Sequence, residues 1–287
     1  MDAISPAVKS PPRAGFTLVE LSIVLVIIGL IVGGILVGQD LITAARIRAQ
    51  ITQIDKYNTA VNVFRVKYNA LPGDMIPTTA AALGFFTRSG IYGDGDGDGN
   101  LIGYNTSPGA GGFYVLGGET VLFWTDLSAA GLIEGGFNDN SDTYVTASTD
   151  AQYAAELPHA KIGNGNFVFA DGWYIDSVGN ILRGNGFQIM FIVSVGSGQP
   201  GSIKTNAGLT PVEAYNIDQK VDDGLPLSGK VFAMLPDSAS PSTLPGREIL
   251  AGGPTLCVTG VTPFTYNMGT ARQSTVANCS LRFQAPW

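Results

Sequence analysis

Three aspartates at alternate positions, followed by a glycine, are the residues best suited to metal chemistry. Asp94, Asp96 and Asp98 precede Gly99 and Asn100, in a segment where every second residue is glycine. This order matches the first six positions of a calcium-binding loop, in which carboxylate oxygens converge on the cation and glycine allows a sharp turn. The pattern predicts a Ca²⁺ site formed by the three aspartates and Asn100.

The match to a calcium loop weakens after the glycine. Position 12 falls on Asn105, where a calcium loop has a glutamate that binds through both oxygens. Glu119 or a backbone carbonyl would have to complete the coordination, so we expect weak binding, at about 10⁻⁴–10⁻³ M. The alternative is a solvated run of Asp-Gly turns within residues 84–118, which we predict to form an extended surface loop.

A second acidic cluster lies at the predicted C-terminal end of another helix. Asp218, Asp222 and Asp223 stand there, and the helix dipole disfavours carboxylates at that end. Either a bound cation or Lys220 would have to compensate their charge, and the sequence leaves both interpretations open.

Residues for catalysis are sparse. The one histidine of the chain, His159, follows Leu157-Pro158 in a predicted loop, and no glycine-rich phosphate motif precedes a helix. No nucleophile stands in a recognisable elbow. We therefore expect that the protein is not an enzyme.

The charge balance restricts the possible partners. The chain has 16 Lys+Arg against 23 Asp+Glu and a net charge of −7, which argues against bulk nucleic-acid binding. Charged residues make up only 14% of the sequence, and 38 of the 287 residues are glycine. Low charge with many glycines favours loop-rich β-structure, a membrane segment, or both.

The longest apolar run covers residues 16–38 and contains a single charge, Glu20. As a helix, this run would extend about 34 Å, enough to cross a hydrocarbon core of about 30 Å. A secretory signal peptide is the competing interpretation, but its apolar region is shorter, about 7–15 residues. We therefore predict a transmembrane helix, preceded by a polar, proline-containing segment that ends at Gly15.

The junction between that segment and the apolar run resembles the processing signal of type IV prepilins and the related pseudopilins. Its residues are Gly15-Phe16-Thr17-Leu18-Val19-Glu20, followed by the uninterrupted span. The resemblance implies that residues 1–15 are a leader. A prepilin peptidase would cut between Gly15 and Phe16 on the cytoplasmic face and methylate the new amino group of Phe16.

The same resemblance implies a role for Glu20 in assembly. A carboxylate in a membrane helix costs on the order of 2.5–3.5 kcal/mol near the bilayer centre, although one near the helix start can reach the interface. Glu20 would pair with the Phe16 ammonium of a neighbouring subunit when helices pack side by side in a filament. Pairing with the amine of its own chain is the alternative.

The helical periodicity continues beyond the span. Apolar residues recur about every 3.5 positions, with charged residues between them, at Ile47, Ile51, Ile54, Val61, Phe64 and Tyr68. Pro72 ends this pattern. We therefore predict one helix over residues 16–69, with residues 16–38 in the membrane, and a globular head over residues 70–287.

The head contains signals for both helices and strands. Residues 119–130 are predicted to form a short amphipathic helix, and a capping box at Thr210 opens another. Residues 166–195 predict an antiparallel meander, and residues 230–235 a further strand. The predicted turns of the meander are Asp171-Gly172, Gly179-Asn180 and Gly184-Asn185. The expected fold class is α+β, with the long N-terminal helix packed on an antiparallel sheet in the pilin-like architecture.

Cys257 and Cys279 are the two cysteines of the chain. They resemble the disulfide-bonded C-terminal loop of many pilins, which fits an oxidising exterior. The resemblance implies a disulfide that removes roughly 3 kcal/mol worth of unfolded-state freedom. Two reduced, packed cysteines are the alternative.

These features predict a structural subunit of a filament. The mature chain, residues 16–287, would wait in the inner membrane as a single-pass protein. It would then polymerise, with copies of itself or other pilins, into an extracellular pilus or a periplasmic pseudopilus. The alternative is a minor or tip pilin that binds glycans through exposed aromatic residues, for which the candidates are Tyr104, Phe113, Tyr114, Trp173 and Tyr174.

Overall fold

The computed structural model describes residues 15, 17–90, 93–103, 117–137, 150–175, 181–195, 203–234, 257–259, 264–268 and 277–287. The chain divides into two compact units, Met1–Ala45 and Arg46–Trp287. In the first unit the described residues belong almost entirely to one long helix. The second unit contains the rest of that helix and a globular head.

Five helices and five strands lie in the described part of the chain. The helices are α1 (Leu18–Tyr68), α2 (Pro77–Leu83), α3 (Glu119–Ala129), α4 (Asp150–Glu156) and α5 (Pro211–Val221). The strands are β1 (Asn166–Ile175), β2 (Ile181–Val195), β3 (Ile203–Asn206), β4 (Val231–Met234) and β5 (Ser280–Gln284). The predicted α+β class and the long N-terminal helix are confirmed.

The first unit is the apolar part of α1. Within the described residues, α1 is the one helix long and apolar enough to cross a membrane, and none of the side chains in its most apolar window is buried in the protein. Leu30, for example, is 78% exposed. Apolar side chains on every side of a helix are typical of a membrane span. The predicted span over residues 16–38 is therefore supported.

From Arg46 onwards α1 has one buried face. Ile47, Ile54, Val61 and Phe64 are buried there, as their spacing predicts. The helix ends at Tyr68, one residue before the predicted end. Asn69 follows with φ of 52°, a left-handed conformation that asparagine tolerates better than most residues at a helix end.

Two glutamines on the buried face of α1 attach a loop of the head. The Gln50 side-chain oxygen accepts the N–H of Ile162 at 3.0 Å, and that of Gln53 accepts the N–H of Lys161 at 3.0 Å. Gln53 also donates to the carbonyl of His159 at 2.8 Å. These bonds satisfy backbone groups that no strand pairs, so the buried face of α1 is not purely apolar.

The sheet of the head is antiparallel and has β2 at its centre. β2 pairs with β1 and with β5, and β5 pairs with β4, which gives the order β1-β2-β5-β4. β3 pairs with the last residues of β2, from Phe191 to Val195. The sheet contributes Phe187 and Leu281 to a core that also contains Phe64 of α1 and Trp124 of α3.

The predicted turns at Asp171-Gly172 and Gly184-Asn185 are wrong. Both pairs lie inside β1 and β2, which form one long hairpin with a register shift between Asp171 and Trp173. The N–H of Gly172 donates to the carbonyl of Leu101 at 2.5 Å, and a Cβ at Gly172 would lie 2.5 Å from the Leu101 nitrogen. The glycine therefore marks a bulge approached closely by another backbone segment. The third pair, Gly179-Asn180, lies outside the described residues.

The bulge also receives a charged side chain from β5. The guanidinium of Arg282 donates to the carboxylate of Asp171 and, at 2.5 Å, to the carbonyl of Gly184. Burial raises the pKa of Asp171 to about 6 in spite of the nearby cation. β5 was not predicted, because its sequence carries an arginine at a position that the fold buries through this ion pair.

Two other helix predictions and one strand prediction are confirmed. The helix predicted over residues 119–130 is α3, and the capping box at Thr210 begins α5 through reciprocal bonds with Glu213. The strand predicted over residues 230–235 is β4. The short helices α2 and α4 were not predicted.

Cys257 and Cys279 form the predicted disulfide. The N–H of Cys279 donates to the carbonyl of Leu209 at 2.9 Å, just before α5. Tyr266, between the two cysteines in sequence, donates its hydroxyl to Asp218 of α5 at 2.7 Å. The cross-linked segment is thus attached both to α5 and to the residues that precede it.

A fully buried ion pair connects three segments of the head. Arg88 and Asp126 approach to 2.8 Å, and both side chains are completely buried. The carboxylate of Asp126 also accepts the N–H of Gly73 at 2.8 Å, and Arg88 donates to the carbonyl of Gly73 at 3.3 Å. The pair therefore joins the turn after α1 and the segment around Arg88 to α3.

We expect Asp126→Ala to destabilise the full chain in detergent by about 3–5 kcal/mol, because Arg88 would remain buried without a counter-ion. The double variant Arg88→Met/Asp126→Leu should lose less stability, since no charge is left unpaired. Urea unfolding followed by tryptophan fluorescence measures both values. Arg48→Met, a change at an exposed position of α1, is the control. Equal losses in the single and double variants would contradict this role of the charge.

Candidate functional site

The first candidate site is the start of α1. Gly15 is exposed, and Phe16 lies outside the described residues. Thr17 caps the helix: its hydroxyl oxygen accepts the N–H of Glu20 at 3.2 Å. The Glu20 carboxylate in turn accepts the N–H and the hydroxyl of Thr17, both at 2.8 Å. This reciprocal arrangement is a capping box.

The capping box gives Glu20 a local role that the sequence prediction missed. Its carboxylate satisfies the N–H of Thr17, one of the donors that a helix start leaves without a partner. The signal was present in the sequence as the Thr-x-x-Glu spacing. Pairing of Glu20 with the Phe16 ammonium of a neighbouring subunit stays a prediction.

The second candidate site is an acidic cluster formed by Asp74, Asp96 and Glu119. Each residue offers one carboxylate oxygen, and these atoms lie within 4.8 Å of one another. Asp74 and Glu119 are buried, and Asp96 is half-buried. Asp74 belongs to the turn after α1, and Glu119 is the first residue of α3, so two elements of the head fix the cluster.

Backbone N–H groups of the glycine-rich segment hold these carboxylates. Asp74 accepts from Gly97 at 2.6 Å and from Gly99 at 2.7 Å. Glu119 accepts from Gly95 at 2.9 Å and from Ile102 at 3.0 Å. The carboxylates supply acceptors to a segment that forms no strand, and residues 93–95 and 101–103 are buried as a result. The prediction of a surface loop is therefore wrong for these residues.

The crowding of carboxylates changes their ionisation. Burial, and next the negative charge of Asp74, raise the pKa of Glu119 to about 9. Burial raises the pKa of Asp74 to about 6 and also raises the pKa of Asp96. A divalent cation would supply the opposite charge that favours the ionised form. Carboxylate oxygens are the ligands that calcium prefers, so these three residues could hold it.

The structure brings only one of the four predicted calcium ligands, Asp96, into this cluster. Asp94 is buried, and its carboxylate accepts the N–H of Ser89 at 2.5 Å. Asp98 is exposed, and its carboxylate accepts the N–H of Asn100 at 2.8 Å. These bonds shape the backbone of the segment.

The other two members of the cluster differ in how well the sequence predicted them. Glu119 is the residue predicted as a substitute for the missing glutamate at position 12. Asp74 was missed, because its position directly after Pro72-Gly73 indicates a turn and gives no sign of the segment that it meets. The calcium site stays a prediction, with Asp74, Asp96 and Glu119 as the ligands that the geometry favours.

The second predicted acidic cluster also exists, and protein donors surround it. Oxygens of Asp218, Asp222 and Asp223 lie within 4.8 Å of one another. Asp218 accepts the hydroxyl of Tyr266, and Asp223 accepts that of Ser228 at 2.6 Å. Asp222 accepts the N–H of Lys230. These bonds give each carboxylate a donor within the protein, and compensation by a cation or by Lys220 stays a prediction.

The remaining candidates have structural roles or lie outside the described residues. The ring of His159 stacks on Phe167 at 4.5 Å between centroids, and its backbone pairs with the same residue. Trp173 and Tyr174, predicted as glycan contacts, are part of β1. Tyr104, Phe113 and Tyr114 lie outside the described residues.

Comparison with known proteins supports the first site. A family model described as the prokaryotic N-terminal methylation motif matches residues 11–36. This stretch contains the Gly15-Phe16 junction, the capping box and the apolar start of α1. The processing signal predicted from the sequence is thereby confirmed. No curated protein and no solved structure matches the chain.

We expect millimolar calcium to raise the Tm of the full chain in detergent, and to do so more at pH 8 than at pH 5. Between its ordinary pKa of 4.5 and about 9, folded Glu119 keeps a proton that the unfolded chain releases. The free energy of unfolding therefore falls as pH rises through this range. Bound calcium should offset this loss of stability, because a cation favours the ionised carboxylates that the higher pH demands. Thermal scans with calcium and with EDTA at both pH values measure the effect.

Asp96→Asn and Asp98→Asn form a matched pair for this measurement. If the cluster binds calcium, Asp96→Asn should abolish the increase in Tm and Asp98→Asn should retain it. Loss of the increase in Asp98→Asn alone would support the ligands predicted from the sequence instead. An unmodified chain whose Tm does not respond to calcium would contradict both ligand sets.

Proposed function

We propose that this chain, which carries the N-terminal signal of a type IV pilin or pseudopilin precursor, is a structural subunit of a type IV pilus or a related pseudopilus. The signal marks the chain as a substrate of a prepilin peptidase. The enzyme would cut between Gly15 and Phe16 and methylate Phe16. The mature subunit, residues 16–287, would then polymerise through its N-terminal helix with copies of itself or with other pilins.

The observation that supports this proposal is the exposure of the apolar part of α1. Its most apolar window has no side chain buried in the protein, and Glu20 is the one charge in residues 16–38. A helix that is apolar on every side is stable among other apolar groups, either lipid chains or neighbouring helices. The same surface therefore suits both the membrane before assembly and the interior of a filament afterwards.

The proposed location follows from the same two states. Before assembly the subunit would be a single-pass protein of the inner membrane. After assembly it would belong to an extracellular pilus or a periplasmic pseudopilus. The disulfide between Cys257 and Cys279 supports a head on the oxidising side of that membrane.

A minor or tip pilin is the second candidate role. The observation that favours it is a groove in the head, lined in part by Asn62, Arg65 and Asn69. These three side chains are exposed, so the fold does not require them in its core. Exposed polar side chains around a groove suit ligand binding, which a minor or tip subunit that binds glycans would use.

We also propose calcium as a structural cofactor of the head. The support is the close approach of Asp74, Asp96 and Glu119, three carboxylates whose mutual repulsion a divalent cation would remove. Calcium would then stabilise the segment from Gly95 to Ile102 against α3.

The processing step can be tested at the junction itself. We expect the mature protein to begin with methylated Phe16, because the cleavage glycine precedes it. Gly15→Lys should leave a membrane-bound precursor that retains residues 1–15, since a large charged side chain would replace the residue at the cut. Mass spectrometry of the N-terminal peptide measures both. An intact leader in the unmodified protein, or a cut after the apolar run, would contradict the proposal.

The assembly role of Glu20 can be separated from its capping role. Glu20→Gln keeps an acceptor for the N–H of Thr17 and removes the charge, so the helix start should persist while filament incorporation falls strongly. Thr17→Val removes the hydroxyl and keeps the charge. It should cost about 0.5–2 kcal/mol of helix stability and leave most incorporation intact.

Immunoblots of sheared surface filaments and of the membrane fraction, in the native host, compare the two variants. Equal amounts in the membrane show that neither variant is degraded. Normal incorporation of Glu20→Gln would contradict pairing with the Phe16 ammonium. A Thr17→Val defect as large as that of Glu20→Gln would assign the effect to the capping box.

A further inference from the structure

A groove of about 700 Å³ lies in the head beside the last turns of α1. The segment containing Gly97 and Gly99, the turn at Asp74 and the last residue, Trp287, complete its lining. Its volume falls within the range of small-molecule sites, about 300–1,000 Å³. The glycine-rich segment therefore contributes backbone to one wall of the groove, and α1 forms the other wall.

The wall formed by α1 carries polar side chains that the fold does not use. Asn62, Arg65 and Asn69 are spaced by three and four residues, so they lie along one face of the helix and its end. All three are exposed. Within the described part of the chain, none of these side chains makes a hydrogen bond or an ion pair. Two amides and a guanidinium are thus available to a ligand.

Hydrogen bonds from buried side chains hold the opposite wall. Asn185 is buried and donates to the carbonyl of Gly99 at 2.9 Å, while Asp74 holds the N–H groups of Gly97 and Gly99. The backbone of this wall is therefore held in place before a ligand binds. A ligand would lose little binding energy to ordering it.

Trp287 supplies an aromatic surface at the end of the groove. Its indole N–H donates to Asn58 of α1 at 2.9 Å, and its ring stacks on Phe123 at 5.6 Å between centroids. The residue remains partly exposed. Both contacts fix the ring beside the groove, where a partly exposed aromatic residue offers apolar surface.

The charges around the groove disfavour an anionic ligand. Among the described residues that line it, Arg65 is the one cation, and Asp74 also belongs to the lining. The chain as a whole has a net charge of −7, which repels anions at longer range. A purely apolar ligand is equally unsuited, because it would leave the amides of Asn62 and Asn69 without hydrogen bonds to water or ligand.

We propose that this groove binds a neutral saccharide. Hydroxyl groups both donate and accept hydrogen bonds, and each amide of Asn62 and Asn69 offers a matching acceptor and donor pair. Arg65 donates to ring or hydroxyl oxygens. Val66, Ile76 and Trp287 also line the groove and offer apolar surface. This proposal names a ligand class for the groove that favours a minor or tip subunit, and it rests on that proposed role; it does not depend on filament assembly.

The test uses the full chain in micelles of lauryldimethylamine oxide, a detergent without a sugar headgroup. A printed array of neutral and sialylated oligosaccharides identifies the class that is retained, and calorimetry with a retained oligosaccharide gives its Kd. We expect neutral oligosaccharides to bind. Asn62→Ala and Arg65→Ala should each weaken binding about tenfold, the effect of losing one or two hydrogen bonds.

Arg48→Ala is the matched control, because Arg48 is an exposed arginine of the same helix outside the groove lining. It should leave the Kd unchanged, and all three variants should retain the Tm of the unmodified chain. Retention of sialylated oligosaccharides alone, or of none, would overturn the proposal. Equal binding by the groove variants and the unmodified chain would also overturn it. Loss of filament incorporation in the groove variants, without saccharide binding by the unmodified chain, would assign the groove to subunit contacts.

Discussion

The turn that follows α1 is the constraint on which the architecture of the head depends. Gly73 has φ of 84°, and a Cβ there would collide with the carbonyl oxygen of Glu119. Its N–H and carbonyl are both held by the buried pair of Asp126 and Arg88. Asp74 comes next, and its carboxylate accepts the N–H groups of two glycines in the glycine-rich segment. A single glycine without a side chain therefore sets the position of α3, the ion pair and the acidic cluster relative to the end of α1.

α1 is one continuous helix whose two parts have different surroundings, and the polarity of its sequence changes between them. Up to residue 38 it is apolar on every side, with Glu20 used at the helix start. From Arg46 it has one buried face, on which Gln50 and Gln53 bond to the backbone of residues 159–162. Glu20, Gln50 and Gln53 thus each lie where a specific donor or acceptor meets them. This division explains why the same element can anchor the chain and support a folded head.

The features that were predicted correctly from the sequence are those that depend on residues close to one another in the chain. The bounds of α1, the capping box of α5 and the helix α3 follow from periodicity and from residues within a few positions. The disulfide was implied by resemblance to a family. The errors share one cause. Gly172, the buried arginine of β5 and the meeting of Asp74 with Glu119 each depend on partners distant in sequence, and neither composition nor spacing reveals such partners. Asp94 and Asp98 fit a calcium loop by spacing alone, but their carboxylates bond to their own segment.

The head separates the residues that hold its fold from those that face its groove. Along the last turns of α1, Val61 and Phe64 are buried in the core, whereas Asn62 and Arg65, their immediate neighbours in sequence, are exposed. Because helix geometry places neighbouring residues about 100° apart, a substitution on the exposed face leaves the buried contacts intact. Exposed substitutions of this kind usually change stability by less than about 0.5 kcal/mol. The chemistry of the groove can therefore change during evolution without loss of the fold, and without any change in the apolar helix through which a filament would form.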